Sequence, residues 1–221
     1  MRFDILTTFP GSFSAIQESI LKKASEKGLV EINIHNLRDY TLDKHKTTDD
    51  SPFGGGAGML MKVEPIYRAL KAIGVYPRKD NKTKIILTSA KGTTWNQSLA
   101  KEWSTNLDRV LIICGHYEGV DHRVVEHLVD MEVSIGNYVL SGGEIPAMIL
   151  VDSISRLLKG VLGNEESIVN ESHSDNFELE YPQYTRPSTF NTEEGEQWNI
   201  PSILLSGDHK KIADWQKENS K

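Results

Sequence analysis

Short apolar runs that fit β-strands alternate with stretches of helical periodicity along most of the chain. The strand-like runs cover residues 2–9, 30–36, 85–88, 110–114 and 133–135. The helix-like stretches cover residues 13–28, 64–74, 97–104, 122–128 and 144–158. Strands separated by helices favour parallel pairing, because a parallel connection has to cross from one end of the sheet to the other. The pattern therefore predicts an α/β fold with a mostly parallel sheet that helices cover on both faces.

The predicted helix at residues 144–158 is apolar nearly all round. Such a helix is expected to be buried or to lie in a subunit interface. Arg156 stands near the end of this apolar sequence. Because an unpaired guanidinium would be costly in such surroundings, we expect Arg156 to face a partner or a functional site.

The character of the sequence changes after residue 162. Residues 163–176 are mostly polar and have no usable period, which is typical of a mobile linker. Farther on, residues 208–217 predict a last helix with Ile212 and Trp215 on one face. We therefore predict a main domain at residues 1–162, a mobile linker at residues 163–177 and a small helical appendage at residues 178–221.

Composition limits the classes of protein to which the chain can belong. A length of 221 residues fits one large domain with a small appendage. No apolar run approaches the roughly 18 residues of a membrane span, and the early Asp4 does not fit the apolar centre of an export signal. We therefore expect a cytoplasmic protein without a membrane partner. The net charge of −6 argues against a simple nucleic-acid binder, so any RNA partner would need a local patch.

Three glycine-bearing segments are candidates for ligand binding. They are residues 52–59, residues 115–121 and residues 134–144. The second and third follow predicted strands, and loops at the carboxyl ends of strands are the usual ligand sites of open α/β sheets. The sequence contains neither the glycine fingerprint of dinucleotide-binding folds nor a phosphate-binding loop. Its seven histidines have no metal-binding spacing, and the single Cys114 cannot nucleate a zinc site, so no metal ligands are predicted.

Five motifs, in their order and spacing, resemble one family. They are the glycine-rich segment after Asp49 and Asp50, Cys-Gly-His-Tyr-Glu-Gly-Val-Asp from residue 114, Ser-Ile-Gly-Asn-Tyr-Val-Leu-Ser-Gly-Gly-Glu from residue 134, Gly-Val-Leu-Gly-Asn-Glu from residue 160, and Tyr-Thr-Arg-Pro from residue 184. Together they resemble the bacterial tRNA (guanine-N1)-methyltransferases of the TrmD family. The resemblance implies transfer of a methyl group from S-adenosylmethionine to nitrogen 1 of the guanosine just 3′ of the anticodon in tRNA.

The resemblance also implies a fold and an assembly. Members of the family have a SPOUT-type parallel sheet with a deep trefoil knot that holds the cofactor, and they act as homodimers. S-adenosylmethionine is therefore the expected cofactor and tRNA the expected substrate, and the family raises Mg²⁺ as a further requirement. Nothing in the periodicity of the sequence indicates the knot, because true knots are rare exceptions to the rules of chain connection.

Carried over residue by residue, the family's cofactor pocket falls on three stretches of this chain. Glycines there would let backbone groups approach the cofactor, and apolar side chains would enclose its adenine ring. The implied cofactor residues are Leu87, Ser89, Gly115, Tyr117, Glu118, Gly119, Ser134, Ile135, Gly136, Asn137, Tyr138, Val139, Leu140, Gly142, Gly143 and Pro146.

The implied catalytic residues are fewer. The family's arginine corresponds to Arg156, whose guanidinium would stabilise the negative charge that spreads to O6 when guanine loses its N1 proton. Asp50 matches an aspartate near the target base. The family's general base is usually an aspartate; the matching position here is Glu171, and Asp175 is the other candidate.

Two departures from the family keep other functions open. The base position carries Glu instead of Asp, and relatives usually continue for some tens of residues with basic helices that grip tRNA, so residues 178–221 would be a shortened RNA-binding domain. One alternative is a SPOUT-class methyltransferase that acts on another RNA. The other is a catalytically silent relative that binds RNA or senses the cofactor.

Overall fold

The structure is a computed structural model that describes residues 1–78, 80–163, 171–173 and 179–220. The chain divides into two compact units, Met1–Gly163 and Asn164–Lys221. The strands are β1 (Arg2–Thr7), β2 (Glu31–Asn36), β3 (Asp49–Asp50), β4 (Leu60–Met61), β5 (Thr83–Thr94), β6 (Arg109–Cys114), β7 (Met131–Ser134), β8 (Thr189–Asn191) and β9 (Gln197–Asn199). The α-helices are α1 (Ser19–Glu26), α2 (Val63–Ile73), α3 (Gln97–Asn106), α4 (His122–His127), α5 (Glu144–Ser155) and α6 (His209–Glu218).

A five-stranded parallel sheet forms the centre of the first unit, in the order β2-β1-β6-β5-β7. One apolar core lies under α1, α3 and α5 and includes Phe3, Trp103 and Leu150. The other lies under α2 and α4 and includes Leu70 and Leu111. Helices therefore cover both faces of the sheet, and the predicted α/β fold with a central parallel sheet is confirmed.

Three predicted elements differ from the observed ones. The predicted helix at residues 13–28 is a 3₁₀ helix, Pro10–Gln17, followed by α1, because Glu18 between them has extended backbone. Strand β5 extends beyond residue 88 to Thr94. Helix α5 ends at Ser155 and is not buried all round: Ile145 and Ile149 are 54% and 40% exposed.

The second unit contains more than the predicted helical appendage. Strands β8 and β9 form a short antiparallel ribbon, and the hydroxyl of Thr189 donates a hydrogen bond to Asn199 Oδ1 at 2.6 Å. A 3₁₀ helix, Ser202–Leu205, precedes α6. The turn between the strands contains Gly195 in the left-handed region, which favours glycine. Most of the predicted linker at residues 163–177 lies outside the described residues. In the described part of the chain, no helix is long and apolar enough to cross a membrane.

A buried carboxylate links side chains of three neighbouring strands, β1, β2 and β6. Asp4 of β1 is fully buried and accepts hydrogen bonds from Arg2 Nε at 2.9 Å and Arg109 Nε at 2.7 Å. His35 Nε2 lies 2.8 Å from its other oxygen. Burial alone would raise the pKa of Asp4, but the bonds from His35, Arg2 and Arg109 outweigh it and hold this pKa well below its usual range.

Replacing this carboxylate is expected to destabilise the fold in a pH-dependent way. Asp4→Asn should lower the free energy of unfolding at pH 7 by about 3 kcal/mol, because it leaves the partly buried guanidinium groups of Arg2 and Arg109 without their buried partner. The folded-state pKa of Asp4 lies below the unfolded value, so its stabilising contribution is present above about pH 4 and is lost as the pH falls further. Urea unfolding at several pH values measures both effects.

The control is Asp39→Asn, which removes an exposed pair with Lys46. It should change the free energy of unfolding by less than about 1 kcal/mol. A deficit of the Asp4→Asn protein that stays constant from pH 7 to pH 3 would contradict this account.

Candidate functional site

Loops at the carboxyl ends of three adjacent strands enclose a cavity of about 490 Å³. The strands are β6, β5 and β7, which are neighbours in the sheet. Residues 115–120 follow β6, residues 132–136 end β7 and continue past it, and residues 87–91 lie in β5 where its pairing with β6 ends. All three stretches line the cavity, and residues 138–143 complete the lining. The two glycine-bearing segments after predicted strands therefore lie together at one edge of the sheet.

A bulge in β5 supplies one wall of the cavity. Thr88 and Thr93 both pair with Val133 of β7, so the four residues between them leave the regular ladder. Ser89, Ala90 and Lys91 of this bulge line the cavity. The bulge explains how one strand can pair with its neighbour and still contribute side chains and backbone to a ligand site.

The backbone of Gly143 lies close to that of Gly115 at the edge of the cavity. The Gly143 N–H donates to the Gly115 carbonyl at 2.7 Å, and the Gly115 N–H donates to the Thr88 hydroxyl at 3.1 Å. A Cβ on Gly143 would overlap that hydroxyl and would lie 2.7 Å from the Gly115 nitrogen. Only glycine fits where the segment after β7 crosses the end of β6.

The third glycine-bearing segment, residues 52–59, lies on a small hairpin against the same loop. Strands β3 and β4 form its base, with Asp50 opposite Leu60. The Glu118 N–H donates to the Met59 carbonyl at 3.0 Å, and the Met61 N–H donates to the Gly119 carbonyl at 2.9 Å. Because Leu60 lines the cavity, this pairing brings the backbone of Asp50 to the cavity's rim.

Fifteen of the sixteen cofactor residues implied by the resemblance line this single cavity; Asn137 belongs to the same loop but does not line it. Other lining residues were not assigned to the cofactor from the sequence. His116, Val120 and Ser141 lie within the quoted motifs but were not carried over, and the rest lie within strands or helices. The unassigned lining residues are Leu60, Thr88, Ala90, Lys91, His116, Val120, His122, Val125, Glu132, Val133 and Ser141.

The charged side chains that line the cavity include two carboxylates. Glu118 and Glu132 line it directly, and the Lys91 ammonium lies 4.0 Å from the Glu132 carboxylate.

Burial, followed by the nearby charge of Glu144, raises the pKa of the Cys114 thiol well above its usual range. The thiol is therefore protonated at neutral pH and cannot serve as a nucleophile.

Comparison with known proteins decides the family. A family model described as tRNA (Guanine-1)-methyltransferase TrmD matches residues 1–221, the whole chain. The chain belongs to the TrmD family. The resemblance drawn from the sequence motifs is thereby confirmed, and with it the assignment to the tRNA (guanine-N1)-methyltransferases, which are S-adenosylmethionine-dependent enzymes.

Individual relatives of the TrmD family are similar over nearly all of the chain. The tRNA (guanine-N(1)-)-methyltransferase of Clostridioides difficile (strain 630) is 50% identical over 221 residues, 100% of this chain and 92% of the relative. The protein of the same name from Geotalea uraniireducens (strain Rf4) is 50% identical over 222 residues, 100% of this chain and 85% of the relative. That of Citrifermentans bemidjiense is 52% identical over 219 residues, 99% of this chain and 84% of the relative.

Of the catalytic residues implied by the TrmD resemblance, neither Arg156 nor Asp50 is among the residues that line the cavity. Arg156 is half-buried directly after the end of α5. Glu171 is half-buried within the second unit. Asp175, the alternative base, lies outside the described residues. Asp50 is exposed, and its Oδ1 accepts a hydrogen bond from the Ser51 N–H at 2.8 Å.

Proposed function

We propose that this TrmD-family chain methylates nitrogen 1 of the guanosine just 3′ of the anticodon, with a carboxylate as general base and Arg156 as the electrostatic partner. The observation that carries the proposal is the convergence of Ser89, residues 115–119 and residues 134–143 on one cavity. Family membership supplies the reaction, and the cavity supplies a place for its methyl donor.

The cavity fits S-adenosylmethionine in size and character. Its volume of about 490 Å³ lies within the roughly 300–1,000 Å³ typical of small-molecule sites. Leu87, Ile135 and Leu140 offer apolar walls for an adenine ring, and the glycines at 142 and 143 expose backbone where a Cβ would collide. When bound, S-adenosylmethionine supplies an electrophilic methyl group on a positively charged sulfur. The acidic side chains of Glu118 and Glu132 suit a cationic ligand.

The chain must supply a base, because N1 of guanine is a poor nucleophile until it loses its proton. Glu171 is our first candidate and Asp175 the second, since each offers a carboxylate near the position where relatives carry an aspartate. Arg156 would then stabilise the negative charge that develops at O6. Asp50, on the hairpin at the rim of the cavity, would contact the target base.

The length of α5 supports a site shared between two copies of the chain. Pro146 lines the cavity at the start of α5, and Arg156 follows its end. Ten helical residues span about 15 Å, so the guanidinium starts well away from the cavity of its own chain. A symmetric homodimer would bring Arg156 of a second copy toward this cavity. The exposed Ile145 and Ile149 on α5 give such an interface an apolar centre.

The trefoil knot remains part of the proposal. Its support is the return of residues 135–143 across the end of β6, where His116 and Gly142 form an antiparallel bridge. We also propose that the second unit binds tRNA. Tyr184 and Trp215, whose ring centroids are 6.4 Å apart, and the exposed Trp198 are aromatic side chains of the kind on which nucleobases stack.

The location and the metal requirement follow the same proposal. A tRNA-modifying enzyme acts where tRNA is made and used, so we propose the cytoplasm. A Mg²⁺ requirement stays a prediction from the family. Within the part of the chain that the structure describes, no three His, Cys, Asp or Glu side chains are grouped so that they could hold a metal ion.

Single-turnover methyl transfer to tRNA tests the reaction and the base together. Wild type should methylate tRNA with a guanosine 3′ of the anticodon and leave tRNA that lacks it unmodified. Glu171→Gln should slow methyl transfer roughly 10²- to 10⁴-fold, because it removes the general base. Glu171→Asp should retain substantial activity, since the carboxylate remains. Binding of S-adenosylmethionine should be normal in both variants.

Asp175→Asn is the matched variant at the other carboxylate. If it abolishes single-turnover transfer while Glu171→Gln does not, the base is Asp175 and our alignment of this segment is wrong. Methylation of a different RNA or at a different atom would support the broader SPOUT-class alternative. Cofactor binding without transfer to any tRNA would support the silent relative.

Light scattering at micromolar concentration tests the shared site. Wild type should be a dimer, and Ile149→Lys should shift it toward the monomer with a parallel loss of methyl transfer, because a charge would enter the apolar interface. The control is Leu205→Lys, at an exposed leucine of the second unit, which should stay dimeric. A monomeric wild type that methylates tRNA would overturn the proposal.

A further inference from the structure

A buried carboxylate stands at the start of α5, beside the cavity. Glu144 is 7% exposed and is the first residue of the helix. Its Oε1 accepts a hydrogen bond from the Thr7 hydroxyl at 2.7 Å, and the same hydroxyl oxygen accepts one from the Phe9 N–H at 2.9 Å. The amino end of a helix favours a negative charge, so a carboxylate suits this position, and the bond from Thr7 holds it in place. None of the steps proposed above uses it.

A histidine of the cofactor loop faces the other oxygen of this carboxylate. His116 Nδ1 lies 3.9 Å from Glu144 Oε2, a distance too long for a hydrogen bond. The same Nδ1 is buried and has no hydrogen-bond partner. The ring itself is held between Phe9 and Tyr117, with centroid distances of 4.7 and 4.9 Å. A buried polar atom without a partner is unfavourable, and a movement of about 1 Å would bring Nδ1 within hydrogen-bond distance of Glu144 Oε2.

Gly142 leaves the space between the two side chains open because it has no side chain of its own. A Cβ on Gly142 would lie 2.5 Å from His116 Nδ1 and would overlap Glu144 Oε2. Gly142 also forms the backbone bridge with His116. The imidazole, the carboxylate and this glycine therefore meet where two cofactor loops, residues 115–119 and residues 134–143, join the first turn of α5.

We propose that His116 and Glu144 are a positioning pair for methyl transfer. The Nδ1–H of His116 donates to Glu144 Oε2 when the cofactor loops close on S-adenosylmethionine. This bond fixes both loops to the start of α5, whose far end carries Arg156. The pair holds the loops that enclose the cofactor and does not itself contact the reacting atoms. The inference rests on the proposed function of the cavity.

The test uses two substitutions of His116 that differ in where they place a donor. The side-chain amide of His116→Asn can occupy the place of Nδ1, whereas that of His116→Gln reaches the place of Nε2 and leaves Oε2 of Glu144 unbonded. Calorimetric titration with S-adenosylmethionine should show an increase in Kd of about tenfold for His116→Gln. His116→Asn should stay within about threefold of wild type. A residue that merely fills space would not separate the two variants in this way.

A double-mutant cycle assigns the effect to the pair. Glu144→Gln keeps an acceptor for the Thr7 hydroxyl but removes the negative charge, and it should weaken cofactor binding by about fivefold. Combining it with His116→Gln should weaken binding no further than His116→Gln alone, because both changes break one bond. The control is His127→Gln, an exposed histidine of α4, which should leave Kd within about twofold.

The results distinguish a failure of the proposed cofactor site from a failure of the positioning pair. If wild type does not bind S-adenosylmethionine, the proposed function of the cavity fails, and this inference fails with it. If wild type binds and His116→Gln and His116→Asn bind equally well, or the losses in the double variant multiply, the positioning pair alone is overturned. If His116→Gln does not fold, the ratio of Kd values between Glu144→Gln and wild type decides, and a ratio within twofold refutes the pair.

Discussion

The rest of the site depends on one backbone contact, the hydrogen bond from the Gly143 N–H to the Gly115 carbonyl. At this point the segment that follows β7 crosses the end of β6, with the Thr88 hydroxyl packed into the same space. The crossing brings two glycine-rich loops from separate parts of the sequence together in the lining of one cavity. It also fixes where α5 begins, since Glu144 is the next residue. A side chain at Gly143 would force these segments apart.

One end of α5 lies at the cavity, and the other end leads to the arginine that we propose as catalytic. The first turn lies among the cofactor loops, where Glu144 is anchored by Thr7 of β1. The other end carries Arg156, about 15 Å away along the helix axis. A rigid helix that spans this distance separates the methyl donor of one chain from the arginine of the same chain. That geometry fits the shared site that we propose, in which the two exposed isoleucines of α5 would be covered by the second copy.

The sequence was sufficient for the fold class and for most of the cavity lining. The alternation of strands and helices predicted the parallel sheet. The family resemblance predicted fifteen of the residues that line the cavity. The β5 bulge was not predicted, because the sequence of residues 89–92 fits either a continuing strand or a turn. Only the pairing of both Thr88 and Thr93 with Val133 shows that these residues form a bulge. His116 and Glu144 are distant in sequence from Thr7, so no local pattern links them. The β8–β9 ribbon was missed because three-residue strands carry too little alternation to detect.

Cofactor binding by Gly143→Ala tests most directly whether the crossing builds the site. Calorimetric titration with S-adenosylmethionine should show binding to wild type and to Gly11→Ala, since a Cβ at Gly11 meets nothing within 4 Å. Gly143→Ala should bind at least about tenfold more weakly, because overpacking costs typically 1–3 kcal/mol and here displaces both cavity walls. Binding of Gly143→Ala within twofold of wild type would contradict the account.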